Sequence, residues 1–449
     1  MAQPGPSEYR FGPFTLDISR GSFHKGTRRI RADARLIRFL VILIERQDQI
    51  VSRAFLQKHL WPDGRHSRDG DLDVLVCQVR KLLGDNPRNP RFIRTYHAHG
   101  YRFICPVEVA SESIAESTAR SRAIATCHRA RQQWAIRTPA AIRESIRLYT
   151  EAIERDPTYA LGWSGRADAW IMAGIHCLFP PTEAFLRARS DAKQTMRIDA
   201  HAAEAIVAEA WVKLCFDRNL EGARKDFERA TTLDREYPFA HNGLALLYIA
   251  RGQPEKAIKA MGKAWTEQAA SPFLNALLGD CFYQARKYDE AARRARLALL
   301  TAPDFAVAHA SLGRILLQQQ KLAEAVMHFE RAHEKSPGSD VMAGFLAHAY
   351  GATGNEHRAE EILREFEQRR ERSEYVPAYF VALVKVGLGR KREVVQEMKT
   401  AIKERSHWVL FLQTDPAFDD LRGQREFEEL LVEIAGLSPD RRRSVINDG

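Results

Sequence analysis

No pair of cysteines in this sequence is spaced to clasp a metal. The six, Cys77, Cys105, Cys127, Cys177, Cys215 and Cys281, stand far apart with no CxxC spacing, and no histidines cluster at ligand distance. Neither a metal site nor a disulfide framework is expected, and the residues read as free thiols of a reducing cytoplasm. Long apolar runs are missing too. The most apolar window, LIRFLVILI at 36–44, is short and carries Arg38, whereas a membrane span needs roughly 20 apolar residues. The N-terminus lacks a basic-then-apolar secretory pattern. There is no GxSxG, no HExxH, no phosphate-cradling glycine loop and no paired carboxylates beside a nucleophile. The expectation is a cytoplasmic, membrane-free protein that is not an enzyme and holds no cofactor.

Acidic residues are scarce at the front of the chain. The 449 residues carry a net charge of +10, and residues 1–110 hold 19 Lys and Arg against 11 Asp and Glu. Most of the excess therefore sits in the first quarter, and it points to a polyanionic partner for that part.

Local patterns divide the chain. FGPFTLDISRGSFHKGTRRIRA at 11–32 alternates apolar and polar residues between glycines, as short antiparallel strands do. Asp33 is placed to cap a helix over 34–46 with Leu36, Leu40, Leu43 and Ile44 on one face, and Ser52 to cap a second, RAFLQKHLW, which stops before Pro62. The polar, glycine-containing stretch at 62–71 predicts an exposed loop. A third helix follows, with Leu72, Val76, Val79 and Leu83 at core spacing and Val74, Leu75, Gln78 and Lys81 outward or flanking. Asn86-Pro87 and Asn89-Pro90 end it, and RFIRTYH and YRFIC then have hairpin character around Gly100. Strands, three helices and a terminal hairpin in about 100 basic residues are the parts of a winged helix-turn-helix.

Residues 108–121, small and polar, predict a linker. Beyond it a 34-residue period appears: Ala223, Ala257, Ala291 and Ala325 keep it, as do Ala230, Ala264, Ala298 and Ala332, and Tyr248, Phe282, Leu316 and Tyr350. Small residues let helix pairs approach closely while larger ones fill between them, so stacked antiparallel pairs are expected. A further copy lies at about 376–405, one residue out of phase, and LQTDPAFDDLRGQREFEELL fits no repeat and is read as a cap. The expected fold is mostly α: a winged helix-turn-helix over 8–107, a linker over 108–121, an α-α superhelix of repeats over 122–436 and a polar tail over 437–449.

On FGPFTLD, IVSRAFLQKHLW, DVLVCQVRKLLGD and GYRF, residues 9–105 resemble the winged-helix output domain of OmpR/PhoB-type response regulators, and residues 120–435 resemble tetratricopeptide repeats. The order of the two is similar to HilA-type regulators and to soluble relatives of CadC-type regulators. Only eight residues precede Tyr9, so no phospho-acceptor receiver domain is expected. The resemblance implies a sequence-specific transcription regulator that binds double-stranded promoter DNA, possible homodimers on direct repeats, RNA polymerase met through the 62–71 loop, and a protein or small-molecule effector at the repeats.

Carried over by position, Arg53 holds a phosphate, Trp61 braces the backbone contact, and Val74, Leu75, Cys77 and Gln78 meet base edges. Arg80, Lys81 and Tyr101 face phosphate or sugar, and Arg94 and His97 belong to the wing. Cys77, Gln78, His97 and Ala98 depart from the arginines and glycine common in the family, which changes the target sequence. Each assignment has a plainer reading: Gln78 as a solvated side chain, Arg80 and Lys81 as complements to the helix dipole, Val74 and Leu75 as packing on the second helix. On the repeats, Asn242, Asp280, Tyr283, Arg314 and His348 predict an inward-facing partner groove, or equally a solvated face. A scaffold whose winged helix docks protein, and a regulatory subunit of an enzyme, are the alternatives.

Overall fold

A computed structural model describes residues 8–18, 22–26, 28–30, 32–46, 49–61, 69–87, 89–96, 99–110, 114–233, 237–265 and 271–434. His97, Ala98, most of the 62–71 loop and the 437–449 tail lie outside these. The chain forms two compact units, residues 1–121 and 122–449.

In the first unit, β1 (Glu8–Phe11), β2 (Phe14–Asp17), β3 (Ser22–Lys25) and β4 (Arg28–Ile30) make an antiparallel meander. Alternation puts Tyr9, Phe11, Phe14, Leu16 and Phe23 inward. Two capped helices follow, α1 (Ala34–Ile44) and α2 (Arg53–Leu60). Asp33 accepts the Leu36 amide at 2.8 Å and Ser52 accepts the Phe55 amide at 3.2 Å, which satisfies helix-end donors that the core cannot. Helix α3 (Asp69–Leu83) buries Leu72, Val76, Val79 and Leu83. The hairpin of β5 (Ile93–Tyr96) and β6 (Gly100–Phe103) closes the unit.

The linker expectation is corrected. Glu108–Ala110 forms β7, antiparallel to β1 at the sheet edge, and a helix already begins at Ile114. Val109 lies opposite Tyr9 in this register, so β1 is paired on both sides and β7 becomes the outermost strand. Short polar composition alone did not signal this.

The second unit is a stack of helix pairs: α4 (Ile114–Ile136) with α5 (Pro139–Arg155), α6 (Ala160–Ile175) with α7 (Pro181–Ile198), and α8 (Ala203–Val212) with α9 (Leu220–Leu233). Then come α10 (Pro238–Ala250) with α11 (Pro254–Trp265), α12 (Pro272–Gln284) with α13 (Tyr288–Thr301), and α14 (Ala306–Gln318) with α15 (Leu322–Lys335). Last are α16 (Asp340–Ala352) with α17 (Glu356–Glu371), and α18 (Ala378–Gly387) with α19 (Lys391–Lys403). The periodic alanines Ala223, Ala257, Ala291 and Ala325 are fully buried, as close helix approach requires. The period reaches the backbone: Arg218, Gly252, Arg286, Gln320 and Gly354 all have positive φ at the turn after a pair's first helix. The repeat thus imposes a left-handed residue there even where the sequence supplies no glycine.

After α19 the chain does not simply cap the stack. Residues 406–421, with 3-10 turns at His407–Phe411 and Pro416–Leu421, run back along the first helices of several pairs before α20 (Arg425–Ile434). The Trp408 indole donates to the Ile175 carbonyl at 3.0 Å and packs against Phe345, Tyr379 and Phe380. Arg218 donates to the Ser406 carbonyl at 2.7 Å. This strap ties α6 to α18 within one unit.

Candidate nucleic-acid interface

Helix α3 presents two opposed faces. Its buried stripe faces the unit's core, and Val74, Cys77, Gln78 and Lys81, at i, i+3, i+4 and i+7, are exposed together on the other side. Val74 keeps 58% of its surface accessible, more than Ile18 or Ile50, the other exposed large apolar residues described in this unit. None of the four makes a hydrogen bond or ion pair among the described residues. They form a continuous strip that can meet another molecule's polar edges and methyl groups.

The other expected contacts divide. Leu75 is only 4% exposed and belongs to the core, so its placement at a base edge is corrected: it lies one position off the outward strip. Tyr101 is 3% exposed, its ring edge-on to Phe39 and its hydroxyl donating to Asp73 at 2.8 Å, so it positions neighbours instead of facing phosphate. Arg53 grips Asp73 with two nitrogens, at 2.7 and 2.9 Å, and donates to the Tyr101 hydroxyl at 2.8 Å. Arg53, expected to hold a phosphate, is here a tie between α2, α3 and β6, with a third of its side chain still exposed. The hydrogen bonds from Arg53 hold the Asp73 carboxyl below the usual carboxylate range. Burial pushes the Tyr101 hydroxyl up.

Arg80, expected at phosphate or sugar, is instead nearly covered, its side chain 12% exposed. Its guanidinium donates to the Ile93 carbonyl at 2.9 Å and the Thr95 hydroxyl at 2.8 Å, fastening α3 to the hairpin. Asp85, just past the helix, completes the joint by accepting the amides of Arg91, Phe92 and Ile93 at 2.7, 3.1 and 2.9 Å. Its carboxylate is a buried acceptor for three backbone donors that the proline-broken turn leaves without partners. On the hairpin's outer face Arg94 is exposed and lies directly across from Arg102. Trp61, half-buried at the end of α2, carries the Arg35 guanidinium over its ring at 5.3 Å.

Sequence reasoning missed Asp73, Asp85 and Arg35. Asp73 and Arg53 are 20 residues apart and Asp85 acts on backbone, so neither leaves a spacing signal; Arg35 lies in the first helical turn after Asp33 and no pattern links it to Trp61.

On the repeats, Tyr283 and Arg314 do not await an external partner. Asp415 of the strap accepts from the Tyr283 hydroxyl and from Arg314, each at 3.1 Å. His348 is committed to the Leu383 carbonyl at 3.0 Å, between α16 and α18. The groove assignments of Tyr283 and His348 are corrected to internal contacts, while Arg314, though paired with Asp415, still reaches a cavity. Asn242 and Asp280 line the same cavity.

With this geometry in hand, residues 27–103 match the family of the transcriptional regulatory protein C-terminal domain, and residues 217–273, 277–340 and 316–375 match tetratricopeptide repeats. The chain carries an OmpR/PhoB-type domain followed by tetratricopeptide repeats. Over 109 residues it is 29% identical to the cholera toxin homolog transcriptional activator of Vibrio parahaemolyticus serotype O3:K6, covering 23% of this chain and 37% of that protein. Over 117 residues it is 28% identical to the transcriptional regulator HilA of Salmonella typhimurium, covering 26% of this chain and 21% of that protein. The chain thus spans well under half the length of these relatives. Among solved structures, the Klebsiella pneumoniae RstA DNA-binding domain in complex with the RstA box is 28% identical, covering 22% of this chain and 96% of that one at a TM-score of 0.20. No helix among the described residues is long and apolar enough to cross a membrane.

Proposed function

We propose that the protein is a sequence-specific transcription regulator whose α3 enters the major groove of promoter DNA, and whose repeat unit takes up an effector that governs the activity. The observation that carries this reading is the exposed Val74, Cys77, Gln78 and Lys81 strip on the third helix of an OmpR/PhoB-type domain. Gln78 reads an adenine edge, Val74 meets a thymine methyl, and Lys81 with Arg94 neutralises phosphates. The vibrio and Salmonella relatives named as transcriptional regulators support the reading. Binding as tandem copies on direct repeats, recruitment of RNA polymerase through the 62–71 loop, and a cytoplasmic location complete the proposal.

A second reading has its own observation. Arg53 and Arg80 are spent inside the unit, leaving an α3 strip with one cation and two apolar or sulfur side chains, which also suits docking to a protein. Capture of genomic duplex fragments by the purified full chain decides between them. Recovery of a shared motif, repeated in the same orientation at helical-turn spacing, supports the regulator. Featureless recovery at low salt favours docking.

A further inference from the structure

Between the strap and the first helices of the repeats lies a cavity of about 130 Å³. Its walls are aromatic and aliphatic, chiefly Trp211, Leu246, Phe273, Phe345, Trp408 and Phe411. An apolar cavity of about this size holds a benzene-sized molecule. Here, however, the lining is not uniformly apolar: Asn242, Asp280, Ser311 and Arg314 gather on it.

The polar group is unbalanced in charge and in hydrogen bonds. Arg314 lies between two carboxylates, 3.1 Å from Asp415 and 3.5 Å from Asp280. Asp415 is well served, since it also accepts from Tyr283, Tyr379 and the Ala417 amide. Asp280 is served on one oxygen only: Oδ1 takes the Ser311 hydroxyl at 2.9 Å and the longer Arg314 contact, while Oδ2 has no donor among the described residues. The Asn242 amide on the same lining makes no hydrogen bond there either. One cation against two anions leaves a net negative charge, walled by aromatic faces whose quadrupoles attract cations. Burial pushes the Asp280 carboxyl up despite Arg314 and Ser311, and the Asp415 charge adds to the rise. A bound cation would relieve that cost.

We propose that this cavity is a binding site for a small organic amine, whose apolar body of about six or seven carbon atoms, close to a benzene ring, lies among the aromatic walls while its ammonium donates to Asp280 Oδ2 and the Asn242 side-chain carbonyl oxygen. The inference rests on the reading of the repeat unit as the effector-responsive part, and gives that effector a chemical class. Because Trp408 and Phe411 of the strap form one side of the cavity, an amine held there also bears on the segment that ties the stack together.

The test is calorimetric titration of the full chain with three probes sharing one ring: benzylamine, benzyl alcohol and phenylacetate. Saturable binding of benzylamine at least tenfold tighter than of the other two is expected. Asp280→Asn should weaken benzylamine at least tenfold and leave benzyl alcohol unchanged, and Leu246→Trp, which fills the cavity, should abolish binding of both. Benzylamine binding no tighter than benzyl alcohol or phenylacetate, or undetectable, overturns the proposal; so does indifference to Asp280→Asn. If either variant fails to fold, the comparison of the three head groups on the unaltered chain decides alone. Duplex capture by the same preparation stands or falls separately.

Discussion

Arg314 on α14 and Asp415 on the strap, 101 residues apart, meet at 3.1 Å with both side chains nearly inaccessible, at 9% and 4% exposure. Arg314 also lies over the Tyr283 ring at 4.3 Å, so its charge is boxed between an aromatic face and carboxylates. A buried pair of this kind adds little net stability over an apolar substitute, yet removing one partner strands the other. Asp415→Ala should therefore cost about 3 to 5 kcal/mol, seen as an earlier urea transition of the repeat unit. The double change Arg314→Met with Asp415→Leu should recover most of it. Equal loss in both variants would show that the pair itself, and not the stranded arginine, carries the stability.

Gly100 is the tightest point of the first unit. Its φ is +140°, and a Cβ there would lie 2.0 Å from the Val51 carbonyl oxygen. The approach is needed because Val51 and Tyr101 exchange both backbone hydrogen bonds, at 2.8 and 3.0 Å, pinning the α1–α2 connection to β6. Gly100→Ala must either break this bridge or bend the hairpin, at a cost of about 3 kcal/mol or more. The measurement is urea unfolding of the full chain. The repeat unit's transition should stay in place while that of the first unit moves down.

These two cases mark what could be read from sequence. Periodicity is a local record of burial, so the α3 stripe of Leu72, Val76, Val79 and Leu83 and the alanine columns of the repeats were legible, as were the caps Asp33 and Ser52. Tertiary pairing leaves no such record. Leu75 stood outside the four-residue stripe and still packs inward, because the core beside α3 is wider than one row. Arg53 and Arg80 carry charge that suits DNA, and only their partners Asp73 and Thr95 reveal that it is used at home. The strap departs from the 34-residue period, which made it visible as an exception but not as the occupant of the groove that Tyr283 and Arg314 face.

The correction to Arg80 separates two neighbours. Lys81→Ala should weaken binding to every duplex alike and lower the log-log salt slope by about 1, since one phosphate contact is lost. Arg80→Ala should instead loosen the hairpin against α3 and reduce thermal stability of the first unit. Gln78→Ala should leave the salt slope unchanged and alter which sequence is preferred. Affinity measured at several salt concentrations on two unrelated duplexes distinguishes all three.

Asp73 is a carboxylate on the helix proposed to face a polyanion, and Arg53 neutralises it. Asp73→Ala removes a negative charge and releases a guanidinium beside the strip. Binding to nonspecific duplex at low salt should tighten by about tenfold, with a salt slope steeper by about 1, while discrimination between sequences falls. Weaker binding on all duplexes would mean that the tie to Arg53 and Tyr101, rather than the free charge, sets the geometry of α3.

Asp168 on α6 gives the repeat unit a distinctive pH dependence. Burial raises its carboxyl to about 7, against the opposing hydrogen bond from Tyr237; Glu204 pushes the same way as burial, and Arg131 and Arg137 pull against it. In the unfolded chain the group releases its proton near 4 (about 3.9). From about 4 to about 7 the native state therefore holds more protons than the unfolded state, and stability must fall as pH rises through that window. The full effect of a shift this large is roughly 4 kcal/mol at most. Asp168→Asn keeps an acceptor for the Tyr237 hydroxyl, which now reaches Asp168 at 2.7 Å, and removes the titration. Unfolding free energies of the two proteins at pH 5, 6, 7 and 8 should diverge, with the variant gaining relative to the parent as pH rises. A constant difference across the series would place the native carboxyl below pH 5, with Arg131 and Arg137 as its effective counter-charges.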